Sequence, residues 1–251
     1  MKLFVVTGAS RGMGAAIAVQ LLADARHTVL CISRHENASL AARAKQSGAN
    51  CEQWSADLAE PIAVAARLRD WLGGRDASAF THASLINNAG VLTTIGALES
   101  CSDEELSKAL RVGLEAPLLL TAAFLRATAA WPGERRVLNI SSGLGRRAMA
   151  GQATYCAAKA GMDHLSRAVA LDQALLANGA KVVSLAPGVI DTDMQVQLRS
   201  ARGDGFPEQA AFVQLKESGQ LTSSTDAAAR VVAYLERADF GAVPVADVRD
   251  A

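Results

Sequence analysis

A chain of 251 residues, half of them apolar, can bury a sizeable core as one α/β domain. Its 25 basic and 25 acidic residues cancel and are spread along the chain, which argues against a nucleic-acid partner, since phosphate binders carry a basic excess on one face. No apolar run approaches the ~20 residues of a membrane span, and the strand pattern starts at residue 3, so the expectation is a cytoplasmic chain without signal peptide or membrane partner.

In chain order, an apolar run over 3–7 reads as the first strand and stops at Thr7-Gly8-Ala9-Ser10-Arg11-Gly12-Met13-Gly14, directly before a helix pattern over 14–25. Glycines at a strand-to-helix turn let backbone approach a ligand closely, and the helix N-terminus offers N–H groups and a positive dipole end to a pyrophosphate. A second strand over 28–32 ends in Ser33-Arg34, with no acid before Glu36. A helix over 38–47 and a third strand over 51–55 follow, then Asp57-Leu58 and a helix over 61–72.

The fourth strand, 84–87, opens into Asn88-Ala89-Gly90, and a long helix is expected over 103–129. The fifth strand, 136–140, is followed by Ser142, and a helix over 154–177 carries Tyr155 and Lys159, four apart and therefore on one face. The sixth strand, 181–185, leads to Pro187-Gly188, Ile190 and Thr192. The span 191–220 is helical but rich in charge, Gln and Gly, and reads as a lid over the carboxyl ends of the strands. A helix over 225–237 and a short strand over 242–246 complete the pattern. Continuous apolar strands alternating with helices indicate a doubly wound parallel sheet with helices on both faces.

Cys31, Cys51, Cys101 and Cys156 are widely separated and form no CxxC pair, and His27, His35, His82 and His164 show no metal-ligand spacing. Free thiols and no metal site are expected.

The loop TGxxxGxG, the Asn-Asn-Ala-Gly at 87–90, Ser142 thirteen residues before Tyr155, Tyr-x-x-x-Lys, and Pro187-Gly188 followed by Thr192 occur in one order. Together they resemble the short-chain dehydrogenase/reductase superfamily. The resemblance implies a Rossmann-like single domain over 1–251 and a nicotinamide dinucleotide. Its contacts would be Gly8, Ser10, Arg11, Gly12, Met13, Gly14, Ser33, Arg34, Asp57, Leu58, Asn88, Ala89, Gly90, Tyr155, Lys159, Pro187, Gly188, Ile190 and Thr192. It also implies a reacting group of Ser142, Tyr155 and Lys159 that reduces a small-molecule carbonyl, and a homodimer or homotetramer. In that chemistry Tyr155 passes the proton, a neighbouring Lys159 ammonium lowers its pKa, and Ser142 holds the carbonyl oxygen.

Arg34 at the end of the second strand, with Arg11 in the loop and the Ser33 hydroxyl, points to NADP(H) rather than NAD(H), because an arginine accommodates the 2′-phosphate. The alternative is that both arginines are solvated surface residues. One position departs from the family pattern: Val112-Gly113-Leu114 stands where an Asn usually supports a proton-relaying water. Either water fills that space or Glu115 assists, and Gly113 leaves open a catalytically weak NADP-binding sensor as the second reading.

The C-terminal third, with Asp191-Thr192-Asp193-Met194-Gln195 and Gly241-Ala242 before Asp247, resembles sepiapterin reductases and their bacterial benzil-reductase-like relatives. Met194 is the expected substrate contact in the lid, within an apolar set of Leu198, Phe206, Phe212 and Leu215 that suits a flat or aromatic carbonyl compound or packs the lid on the body. Asp247 is either a carboxylate that anchors a pterin edge or a solvated tail acid. Ketones, diketones and pterin side-chain carbonyls all fit as substrates.

Overall fold

The computed structural model describes residues 1–201 and 205–250. Seven parallel strands form one sheet: β1 (Lys2–Thr7), β2 (His27–Ser33), β3 (Asn50–Ser55), β4 (His82–Asn87), β5 (Glu134–Ile140), β6 (Lys181–Ala186) and β7 (Val245–Asp247). Their spatial order is β3-β2-β1-β4-β5-β6-β7. The winding reverses between β1 and β4, so the loops after these two strands open a crevice at the carboxyl ends. The first six strands lie within a few residues of their expected positions. β7 starts three residues later than expected, because Asp239–Gly241 forms a turn that Gly241 closes at positive φ, 93°.

The strands are apolar on both sides because helices cover both. α1 (Gly12–Leu21), α2 (Ala38–Ser47) and α9 (Ser224–Leu235) bury Ile17, Leu40, Val231 and Leu235 against one face. α3 (Pro61–Gly73), α5 (Ala116–Ala127) and the outer part of α6 (Ala153–Ala174) bury Leu68, Leu72, Leu120 and Phe124 on the other. Local chemistry sets several ends: Asn37 caps α2 by accepting from Ser39 N–H at 3.0 Å, and Ser102 with Glu105 forms a capping box at the start of α4 (Asp103–Leu110).

The helix expected over 103–129 is interrupted. Between α4 and α5 the backbone widens into a π-helical turn, Arg111–Glu115, with Gly113 at its centre. The segment expected as a lid, 191–220, holds α7 (Asp193–Ser200) and α8 (Gln209–Glu217), and residues 202–204 of it lie outside the described residues, as does residue 251 of the domain. Phe206 and Phe212 stack 5.7 Å apart and pack with Leu198 and Met149 in a small separate cluster between this segment and the body. Among the described residues no helix is long and apolar enough to cross a membrane.

Candidate active site

The crevice is one cavity of about 580 Å³, and the expected cofactor contacts, Ser142, Tyr155, Lys159, Met194 and Asp247 all lie on its wall. The glycine loop is pressed against the turn after β4. Gly8 has φ 69°, and a Cβ there would stand 2.9 Å from the Ala89 Cα. Asn88 fixes that approach from the other side, its Nδ2 donating to the Thr7 carbonyl at 2.9 Å. The Thr7 hydroxyl accepts from the Asn88 and Ala89 N–H groups at 2.9 and 3.0 Å. Asn88 therefore braces the loop.

α1 starts at Gly12 with no side chain capping it, so its first N–H groups open on the cavity with no capping acceptor from the chain. Among the described residues, no atom beyond the immediate chain neighbours lies within 4 Å of where a Cβ at Gly90 or Gly143 would be. Free donors at a helix N-terminus beside a smooth glycine-lined wall fit a pyrophosphate. At the far end of β2 the Ser33 hydroxyl donates to the His35 carbonyl at 2.9 Å, and Arg34 is exposed on the cavity rim. Arg11 is not free: its guanidinium pairs with Asp193 of α7 at 2.7 Å. Asp57 accepts from Ala59 N–H at 3.0 Å beside Leu58.

The expected reacting group comes together where β5 and α6 meet. Ser142 follows β5 in extended backbone, and its Oγ accepts from Leu144 N–H at 3.2 Å, which orients the hydroxyl in the turn. Lys159 is 4 % exposed, and its Nζ donates to the Ile140 carbonyl at 2.7 Å and sits 5.5 Å from the Tyr155 ring centroid. Tyr155 is half-buried on the cavity wall, with few polar partners around its phenol. Burial pushes that phenol up to about 12, while the Ser142 hydroxyl acts in the opposite direction. Burial pulls Lys159 down to about 8, opposed by the carboxylate of Asp163. For the chain by itself desolvation dominates the phenol, and the Lys159 ammonium, 5.5 Å from the ring centroid, donates to the Ile140 carbonyl.

Gly113 has a packing reason. A Cβ there would stand 3.1 Å from that of Ala158, between Tyr155 and Lys159 on α6, so this side of the helix is filled by a methyl group. Glu115, the other candidate for the relay, is exposed and off the cavity wall.

Beyond the reacting group the wall carries Val91, Leu92, Leu144 and Met149 from the body and Met194, Leu198 and Phe212 from α7 and α8, beside the polar Arg147, Gln152 and Gln197. Phe206 packs behind these, and Leu215 is not on the wall. Asp247 is on the wall but only 5 % exposed, held bidentately by Arg249 at 2.8 and 2.6 Å, with Arg146 3.8 Å away. That pairing holds its carboxyl below the usual range. It is neither a solvated acid nor an unpaired one. Sequence reasoning missed Arg146, Asp163, Gln152, Gln195 and Arg249. Asp163 alone left a signal, lying four residues beyond Lys159 on the same helix face.

Comparison with known proteins accounts for this arrangement. Residues 2–203 match the family model described as short chain dehydrogenase. The chain belongs to that family. Benzil reductase ((S)-benzoin forming) of Bacillus cereus is 35% identical over 240 residues, covering 96% of each chain. Sepiapterin reductase of Meriones unguiculatus is 32% identical, covering 94% of this chain and 92% of its own. The crystal structure of a metagenomic short-chain oxidoreductase in complex with NADP superposes with a TM-score of 0.71 at 26% identity, covering 98% of this chain and 94% of the other. The chain is accordingly an oxidoreductase acting on CH–OH and C=O groups, and its family binds nicotinamide dinucleotides.

Proposed function

We propose that the chain is an NADPH-dependent carbonyl reductase whose preferred substrates are flat aromatic diketones of the benzil kind. The observation that carries this reading is the division of one cavity. Ser142, Tyr155 and Lys159 lie between a glycine-lined half suited to a dinucleotide and an apolar half under α7 and α8, which acts as the lid.

When bound, the dinucleotide supplies the hydride. Ser142 would donate a hydrogen bond to the carbonyl oxygen and hold it towards Tyr155, which passes its proton to that oxygen as charge builds there. A phenol raised to about 12 keeps its proton at neutral pH, which suits the reductive direction. Lys159, buried beside the phenol, would stabilise the phenolate left behind and hold the nicotinamide ribose. The glycine loop with Ser10, Met13 and Ala89, together with Pro187, Gly188, Ile190 and Thr192, would hold the rest of the cofactor. Asp57 and Leu58, on the cavity wall, would contact the adenine.

Two observations support NADP(H). Arg34 projects at the end of β2 with no acid beside it, and among the described residues it makes no ion pair. A relative of the same fold holds NADP. The apolar wall supports a diketone, as does Asp247, whose charge is already matched by Arg249 and Arg146. A pterin remains the second reading because Asp247 does line the cavity. The weak-sensor alternative loses its motive, since Gly113 is explained by its contact with Ala158. Leu171 and Leu175, 72% and 85% exposed along the end of α6, support self-association as a dimer or tetramer. NADPH consumption with benzil and sepiapterin side by side tests the assignment: benzil should be reduced with the higher kcat/KM, and reduction of neither would overturn it.

A further inference from the structure

Asp163 lies one turn beyond Lys159 on α6, 1 % exposed, and the chemistry above does not use it. Its Oδ1 accepts from two hydroxyls, Ser141 Oγ at 2.5 Å and Ser184 Oγ at 2.6 Å. Its Oδ2 has no hydrogen-bond partner among the described residues, and Nε of Arg146 stands 3.5 Å from it. The turn after Ser142 is fitted to the same carboxylate: a Cβ on Gly145 would stand 2.7 Å from Oδ2 and 3.0 Å from the Lys159 carbonyl. One acid therefore gathers the end of β5 beside Ser142, the middle of β6, the turn that follows Ser142, and the helix carrying Tyr155 and Lys159.

Burying a carboxylate is costly unless cations and donors compensate it. Ser141 and Ser184 supply the donors and Arg146 the near cation, with the Lys159 ammonium one helical turn away. The charged or titratable groups near Lys159 are Tyr155 and Asp163 of its own helix, and Arg146 of the turn after Ser142 reaches Asp163 from the far side. The π-helical turn packs Val112 and Gly113 inward and leaves Arg111 and Glu115 exposed. Beyond Asp163, Arg146 donates to the Ala246 carbonyl at 2.7 Å and approaches Asp247, which Arg249 holds in turn. Charges of alternating sign thus run from the lysine to the cavity wall.

We propose that Asp163 is a positioning residue acting through its neighbours: its charge keeps Lys159 an ammonium inside a dry site, and its two hydroxyl bonds fix the strand end that carries Ser142. The inference rests on the reading of Ser142, Tyr155 and Lys159 as the reacting group. It separates two effects of one side chain. The field of the carboxylate governs the pH at which Lys159 loses its proton, whereas the hydroxyl bonds govern where Ser142 stands.

The test is the pH profile of kcat/KM for NADPH-dependent reduction of the best carbonyl substrate, in Asp163→Asn, Ser184→Ala and Arg146→Gln. Asp163→Asn keeps the shape but removes the charge, so Lys159 should deprotonate earlier and the alkaline limb should move to lower pH by about half a unit to one unit. Ser184→Ala keeps the charge, so the rate should fall with the limb in place. Arg146→Gln removes a cation beside the carboxylate and should move the limb to higher pH, and it decides the matter if Asp163→Asn does not fold. A uniform loss of rate in Asp163→Asn with an unmoved limb would overturn the proposal, as would a limb that stays or falls in Arg146→Gln. Tyr155→Phe is run alongside. If it keeps its turnover, the reading of the reacting group has failed; if it is inactive while the Asp163→Asn profile superimposes on the parent's, only this inference has failed.

Discussion

Arg11 of the glycine loop and Asp193 in the first turn of α7 form an ion pair, Nη1 to Oδ2 2.7 Å, across the half of the cavity suited to a cofactor. Both side chains are well exposed, so the pair is weakly held. A 2′-phosphate that recruits Arg11 has to draw it away from Asp193. Asp193→Asn should therefore tighten NADPH binding by up to about fivefold, the equivalent of ~1 kcal/mol, and leave NADH binding unchanged. Fluorescence titration with both dinucleotides checks this. Equal tightening of the two would mean that Arg11 does not face the phosphate.

In the proposed reading Arg34 would carry the larger part of cofactor choice, because it projects at the strand end and among the described residues has no ion-pair partner to release. Arg34→Asp should reverse the order of kcat/KM between NADPH and NADH. Equal use of both cofactors by the parent chain would remove the basis for assigning Arg34 to the phosphate.

The motifs that line the cavity were legible in the sequence because each is local. A glycine loop, a strand-end arginine and a Tyr-x-x-x-Lys each lie within one short segment whose period or turn chemistry shows directly. What escaped reading was assembled across elements. Asp163, Ser184, Arg146 and Asp247 come from α6, β6, a turn and β7, and only the sheet order brings them together. The π-helical turn was equally hidden, because the apolar period runs on through 103–129 and gives no sign that Gly113 meets Ala158. The surroundings of Tyr155 were hidden for a similar reason. A lysine four residues away suggests a lowered pKa, but the lysine's direction and the dryness of the recess are properties of the fold.

Gly113 supplies a steric prediction. An Asn there places its Cβ 3.1 Å from that of Ala158 and adds further atoms at a buried site. Overpacking of this kind costs about 1–3 kcal/mol, and a chain of this size loses roughly 2–4 °C of Tm per kcal/mol. Gly113→Asn should melt several degrees earlier and turn over no faster than the parent. A faster enzyme with an unchanged Tm would show that the proton path, not packing, governs this position.

The pH dependence follows from Lys159. Burial lowers its pKa to about 8, and reduction uses the protonated form. The rate should be full below that value and decline as pH rises through it, while Tyr155, at about 12, keeps its proton throughout. A profile measured at saturating NADPH that stays level to about pH 10, the ordinary lysine range, would contradict the buried environment assigned to Lys159.

In the proposed reaction Tyr155 passes the proton to the carbonyl oxygen, and Tyr155→Phe tests this with the smallest change, one hydroxyl. Single-turnover reduction of benzil and NADPH affinity should be measured on the same preparation. The account predicts turnover lowered by about a thousandfold or more, within the range that proton transfer by a positioned side chain contributes, with NADPH affinity within about twofold of the parent's, a difference of ~0.4 kcal/mol. Turnover within about tenfold of the parent's, a barrier change of only ~1.4 kcal/mol, would show that another group supplies the proton and would contradict the account.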